Sequence, residues 1–257
     1  MSTDTKPVIA VDGDDVLWQT MQNLIRFHNE LYRTTHRVED VTEYDVNALW
    51  ECDLAEMHRR LEEFYASRYN QPGPLPHAVE SVAKLAERYN VHLVTARQER
   101  YADITHQSLM LFGNAIKDTH FLGKAGGGML ESKAARCRRI NALFHVEDAT
   151  HHATAVAEVT TVLLMDTSWN KTAPLQPNII RVFGWKDAPA CWRPFHMAFL
   201  SFLWFCSKIE PTMSNVNVEV KKNPNENALS LVRRFQKRVQ ESGVLPRVRS
   251  LRYSDRA

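Results

Sequence analysis

Asp12 and Asp14 stand two apart at the end of the apolar run 8–11, with Gly13 between them and Asp15 beyond. If that run is a buried strand, both carboxylates reach one small volume, and their repulsion is relieved by a cation or a shared proton. Magnesium, a hard ion that takes oxygen ligands, suits such a place. A carboxylate held there can also attack phosphorus to give an aspartyl phosphate. That attack needs positive charge around the transferring oxygens and a second group to handle the leaving-group proton. Asp14 can serve as the proton carrier, Thr95 as a hydroxyl donor to the phosphoryl oxygens and Lys124 or Lys133 as the cation, while Glu147 and Asp148 can complete a metal shell.

For those residues to meet, the chain must bring distant segments to one end of a sheet. Apolar runs at 8–11, 91–95 and 143–146, and another ending at Asp166, read as buried strands. Helical periodicity covers 17–32, 54–69, 77–89, 97–112, 130–141 and 151–159. Gln71 to Pro76, QPGPLP, stops the second helix because proline removes a donor and fixes the backbone. Residues 120–122 read as a short strand or loop before the GKAGGG turn. Short apolar strands alternating with helices predict an open parallel α/β sheet. Ligands of such sheets sit beyond the carboxyl ends of the strands, which is where Asp12, Asp14, Thr95, Glu147 and Asp148 fall.

The order DGD, a strand ending in Thr95, a later lysine and the acidic pair Glu147-Asp148 resembles the haloacid dehalogenase superfamily of phosphotransferases. The resemblance implies a Rossmann-like core at 1–16 and 76–187, with a small helical cap at 17–75 inserted after the first strand. It implies that Asp12 is the nucleophile, Asp14 the general acid and base, and Thr95 the phosphate-binding hydroxyl. Ala96, Arg97 and Lys124 accompany Thr95 as substrate-binding candidates. Asp12, Asp14, Glu147 and Asp148 are the candidate magnesium ligands, with the division between direct and water-mediated binding at 147 and 148 left open. For the catalytic lysine, KAARCRRINALFHVED resembles the close-spaced form of nucleotidase-like members and favours Lys133 over Lys124. FHNELY, DVTEYDV, PGPLP, LVTAR, MDTSWN and RVFGW resemble small deoxyribonucleotidase-like proteins over about residues 7–187. The expected activity is magnesium-dependent hydrolysis of a small phosphorylated metabolite, with a deoxyribonucleoside monophosphate as one candidate substrate. Trp18, Phe27, Tyr44 and Trp50 are candidates for an aromatic wall in the cap, Trp18 and Tyr44 foremost.

Other features weigh less. His145, His151 and His152 lack a cysteine at ligand spacing and read as structural or solvent-facing. The glycine-rich turn lacks the order of a phosphate-binding P-loop. Four scattered cysteines and no secretory leader point to a reducing, cytoplasmic setting. The apolar stretch 197–206 is shorter than the roughly 17 to 25 residues of a membrane span.

Charge divides the chain. Residues 1–187 hold 20 basic and 25 acidic side chains, net −5, whereas residues 213–257 hold 10 and 4, net +6. Between them, 188–212 is an irregular apolar linker. The basic segment 213–257, with ALSLVRRFQKRV and SGVLP, resembles the first part of bacterial ribosomal protein S21 and reads as a short helical extension. That resemblance implies contact with ribosomal RNA through Arg233, Arg234, Lys237, Arg238, Arg247, Arg249 and Arg252. Met213 also looks like an independent start, so two joined reading frames are a further expectation.

Overall fold

The computed structural model describes residues 6–124 and 128–186, together with Arg234, Lys237 and Arg238. The chain divides into two units, Met1–His196 and Met197–Ala257. In the second, the three described residues are helical. The expected linker 188–212 and the rest of the S21-like segment lie outside the described residues.

Six parallel strands form one sheet in the order β3-β2-β1-β4-β5-β6. They are β1 (Val8–Val11), β2 (Asn90–Gln98), β3 (Ile116–Gly123), β4 (Phe144–Glu147), β5 (Thr161–Met165) and β6 (Ile179–Val182). Strand order reverses between β1 and β4, so the ends of those two strands flank the crevice where such sheets take ligands. Every residue of β4 is buried, as are three of the four in β1, which is why these strands read as continuous apolar runs rather than alternating ones.

Helices cover both faces. Ile9, Val11, Leu93, Val146 and Leu163 pack with Val82 and Leu85 of α3 (Ala78–Ala86). On the other face Ala10, Val94, Val162 and Leu164 pack with Cys137 of α5 (Lys133–Arg139) and with Ala153 and Val156 of α6 (Thr150–Ala157). A short helix α4 (Ala102–Leu109) links β2 to β3.

The insertion after β1 carries α1 (Thr20–Tyr32) and α2 (Leu54–Tyr65) around a core of its own, including Met21, Leu24, Phe27, Trp50, Met57 and Phe64. Phe27 and Trp50, expected along an aromatic wall, are consumed here. Phe27 meets Phe64 edge-on at 5.7 Å, and Trp50 stacks on His28 at 4.5 Å.

Three departures from the periodicity lie at the start of α1 and along β2 and β3. The helix expected from residue 17 starts at Thr20, because Leu17 N–H donates to the Gly13 carbonyl at 2.8 Å and closes a turn first. Arg97, expected to open a helix, remains in β2, which continues to pair until Gln98 meets Gly123. The short segment expected at 120–122 is an eight-residue strand. As the edge of the sheet it carries Lys117 and Asp118 toward solvent, a charge pattern that protects edges and hides the strand from an apolar count.

Gly123 marks the closest backbone approach at that edge. A Cβ there would lie 2.1 Å from the Ala96 carbonyl oxygen and 2.8 Å from the Arg97 carbonyl carbon. Gly123→Ala should lower stability by about 1–3 kcal/mol, since backbone rather than a flexible side chain must move. Gly73→Ala, with nothing within 4 Å of the new carbon, should stay within about 0.5 kcal/mol of the parent. Denaturant unfolding of both variants checks the contrast.

Candidate active site

Asp12 follows β1 directly, and its N–H donates to the Val146 carbonyl at 2.9 Å, fixing the end of β1 against β4. Its side chain is 8% exposed. One oxygen, Oδ2, is 2.8 Å from Lys133 Nζ, while Oδ1 is buried without a hydrogen-bond partner. Burial raises the Asp12 pKa to about 7, with Glu147 and Asp14 adding to the rise and Lys133 opposing it.

Lys133 is the first residue of α5, which Ser132 caps by accepting from Ala135 N–H at 3.1 Å. Its ammonium also donates to Glu147 Oε2 at 2.8 Å. Burial works against the ammonium, but Asp12 and Glu147 overcome it and raise its pKa, so Lys133 is charged. Glu147 is fully engaged. Its Oε2 contacts Lys133 and His145 Nε2 at 2.9 Å, and its Oε1 accepts the N–H groups of Asp148 and Ala149 at 3.1 and 3.2 Å. Burial opposes its ionisation, yet Lys133 and then His145 outweigh burial and hold Glu147 well below the usual carboxylate range.

Asp148 follows β4. Trp169 Nε1 donates to its Oδ2 at 3.0 Å, and Asn170 Nδ2 donates to its carbonyl at 2.7 Å. Burial first, then Glu147, Asp15 and Asp12, raises its pKa well above normal. Carboxylate oxygens of Asp12, Glu147 and Asp148 lie within 4.8 Å of one another. Crowded, buried acids, with one Asp12 oxygen unpartnered, have the donor chemistry of a hard divalent cation site.

Asp14 is held differently. Arg97 grips it through Nη2 at 2.7 Å and Nε at 3.0 Å, and Trp18 Nε1 and Thr20 Oγ1 donate to Oδ1 at 3.0 and 2.5 Å. Burial disfavours the charge, but Arg97 prevails and lowers the Asp14 pKa. Asp15, the third acid of the cluster, turns away. It has φ 54° and accepts Met21 N–H in the first turn of α1 with both oxygens at 3.0 Å.

Trp18, expected to touch substrate, is 1% exposed and packed in the core. A Cβ on Gly13 would lie 2.6 Å from its ring. The indole therefore supports Asp14 and has no free face for stacking. Thr95 is fully buried near the end of β2, where its hydroxyl accepts Arg97 N–H at 3.2 Å. Register pairs Val11 with Leu93, so Thr95 lies at the same sheet end as Asp12. Ala96 is half-buried, with its carbonyl against Gly123. Lys124 is exposed after edge strand β3, two strand positions from β1, whereas Lys133 lies against Asp12.

Tyr44 keeps 42% of its surface exposed. Its ring is edge-on to His151 at 4.9 Å. Burial followed by the charges of Asp148, Asp12 and Glu147 raises the phenol pKa well above normal, leaving an O–H donor. Tyr65, absent from the expected site, stacks on Tyr101 at 5.2 Å and lies 5.6 Å from the Arg97 guanidinium carbon. Next to it, Glu62 of α2 accepts from Gln98 Nε2 at 3.2 Å, from Tyr101 Oη at 2.8 Å and from Arg100, tying the cap to the end of β2. The loop that presents Trp169 is anchored by Arg181, which donates to Asp166 at 2.7 Å and to Asn170 Oδ1 at 2.6 Å. MDTSWN signalled this loop as a motif, but no residue in it announced a contact with Asp148.

Among the described residues, no helix is long and apolar enough to cross a membrane. The profile of one family, described as 5' nucleotidase, deoxy (pyrimidine), cytosolic type C protein, matches residues 6–191. A nucleotidase of Clostridium acetobutylicum is 24% identical over 160 residues, 62% of this chain and 80% of that one. The fold is shared with a haloacid dehalogenase-like hydrolase of Streptococcus pneumoniae, at TM-score 0.55 and 12% identity, over 74% of this chain and 100% of that one. It is shared also with the L-2-haloacid dehalogenase of Xanthobacter autotrophicus, at TM-score 0.51 and 10% identity, over 74% and 99%. With a Rossmann-like parallel sheet, a cap inserted after β1 and a profile match over residues 6–191, the chain has the fold of haloacid dehalogenase-like hydrolases and belongs to the deoxy (pyrimidine), cytosolic type C 5' nucleotidase family.

Proposed function

We propose that the chain hydrolyses a deoxyribonucleoside monophosphate or a close phosphomonoester through an aspartyl phosphate on Asp12. One observation carries this reading: Asp12 lies at the topological switch point with one oxygen on Lys133 and the other buried and unpartnered. The family profile and the Clostridium relative, itself named a nucleotidase, support the substrate class.

Asp12, Asp148 and the Asp14 carbonyl would hold magnesium. When bound, the ion neutralises charge on the acids and on the phosphoryl oxygens. Glu147 acts by holding Lys133, since both of its oxygens already have donors. Lys133 and Thr95 supply donors to the phosphoryl oxygens. Asp12 Oδ1 attacks phosphorus and the ester oxygen leaves, taking a proton from Asp14. Asp14 then accepts a proton from the water that attacks the acyl phosphate, releasing phosphate and restoring Asp12.

Arg97 favours the ionised form of Asp14. Proton donation therefore requires Asp14 to leave the guanidinium, for which anionic oxygens of the substrate are an alternative partner. Tyr44 and Tyr65 are the cap aromatics available to a leaving group, since Phe27, Trp18 and Trp50 are packed away.

Asp12→Asn should lower kcat with deoxyribonucleotides by roughly 10⁴-fold or more while the far-ultraviolet circular dichroism stays native. Retained turnover would reject the nucleophile. A magnesium-dependent screen of 5'- and 3'-nucleotides, sugar phosphates and phosphoglycolate tests the substrate class, with deoxyribonucleotides expected to give the highest kcat/KM. Asp14→Asn should cost about 10²–10⁴-fold with a nucleotide. The formation of the acyl phosphate should suffer less with p-nitrophenyl phosphate, whose leaving group needs no proton, so a burst should precede slow turnover.

The sign for Arg97 is fixed by its charge. Arg97→Gln removes the group that lowers the Asp14 pKa, so Asp14 loses its proton only at higher pH. The limbs of the kcat profile governed by Asp14 should both move upward in pH. An unshifted profile would separate Arg97 from proton transfer.

A further inference from the structure

We propose that His92, Asp118 and His120 form a second metal site, suited to a transition-metal dication such as zinc and separate from the carboxylate cluster. The strands place these residues together. His92 of β2 is in register with Asp118 of β3, and Val94 with His120. Asp118 and His120 are two apart on one strand and therefore share a sheet face.

The distances suit a small, tetrahedral ion. His92 Nδ1 and His120 Nε2 are 3.1 Å apart, and His120 Nε2 is 3.6 Å from Asp118 Oδ2. All three candidate ligand atoms lie within 4.8 Å of one another. Zinc bound to imidazole nitrogen at about 2.0–2.1 Å gives a tetrahedron with ligand-to-ligand edges of about 3.3–3.4 Å. Two nitrogens and one oxygen leave a fourth position for water, and the Asp118 side chain, 57% exposed, provides the open side. Magnesium, which takes oxygen ligands, has little use for two imidazoles, so this set selects a different class of ion from Asp12, Glu147 and Asp148. Burial lowers the pKa of His92 and His120, leaving both rings neutral, the form that ligates.

Arg136 contacts one of the candidate ligands. Its Nη1 donates to His120 Nδ1 at 2.8 Å. Arginine only donates, so Nδ1 carries the lone pair and the ring proton sits on Nε2, shared with His92 Nδ1. Binding a metal at Nε2 moves that proton to Nδ1 with no net release, and the Arg136 contact ends. Arg136 is not stranded by this, because its Nε and Nη2 already bond Glu131 at 2.8 and 2.7 Å. The arginine thus competes with the metal but keeps an alternative partner.

The test uses the full chain, stripped with chelator and kept in millimolar magnesium to occupy the carboxylate cluster. Zinc alone is titrated by calorimetry and followed by imidazole proton resonances. The expected result is one zinc per chain that perturbs two histidine spin systems and weakens at least tenfold in His92→Gln and in His120→Gln. Any zinc held by Cys191, Cys206 or His196 would persist in those variants and so marks the background. Arg136→Gln, which leaves all three ligands in place, should tighten binding several-fold. Zinc binding unchanged by either histidine substitution would overturn the proposal, as would the absence of histidine shifts in the unsubstituted chain.

Discussion

The end of the sheet depends on one buried ammonium. Asp12 and Glu147 end neighbouring strands, and without Lys133 between them two buried acids would face each other with no counter-charge. Burial of unpaired charge costs several kcal/mol, and a pair repays this only when its remaining hydrogen-bonding positions are satisfied. Glu147 meets that condition completely, whereas Asp12 meets it on one oxygen and not on the other. The asymmetry leaves Asp12 as the group with something still to bind.

The 14-residue interval from Lys133 to Glu147 has a geometric basis. In a right-handed crossover the helix runs back along the sheet before the next strand runs forward. The start of α5 and the end of β4 therefore lie at the same sheet end. About two helical turns, a tight connection and four strand residues fill the interval. Ser132 holds the first turn in place, and Cys137, one turn further on, anchors the same helix face in the core. The lysine's position is thus set by the backbone before any side-chain contact is formed.

Burial decides which elements are legible in the sequence. Parallel strands buried on both faces appear as apolar runs, and carboxylates at their ends interrupt those runs, so β1, β4 and Asp12, Glu147 and Asp148 were legible. Edge strand β3 was legible only as a short strand or loop at 120–122, since its exposed first half is polar, and β2 outran its apolar run because its last pair is made with Gly123. In the cap, helical spacing gave the apolar stripe of α1 and α2 but could not distinguish aromatics facing the cap core from those facing the site. Phe27 and Trp50 took the first role, and Tyr65, which has the same kind of ring, lies beside Arg97. Asp14 shows the same limit. Its partners Trp18, Thr20 and Arg97 come from a turn, a helix start and a strand end, and no sequence period links them.

The two candidate cation sites show how one sheet can sort ions by donor atom. At the strand ends, acids converge because the backbone brings carboxyl termini together, and an oxygen-only cluster results. At mid-strand on the β3 edge, ligands must instead come from side chains on the same face of adjacent strands, where β2 presents a half-buried imidazole. The two sites also share their supports. His92 precedes Thr95 by three residues on β2, and Arg136 follows Lys133 by three on α5. Lys133 and Arg136 thus stand one turn apart on α5, the first on Asp12 and the second on His120 and Glu131.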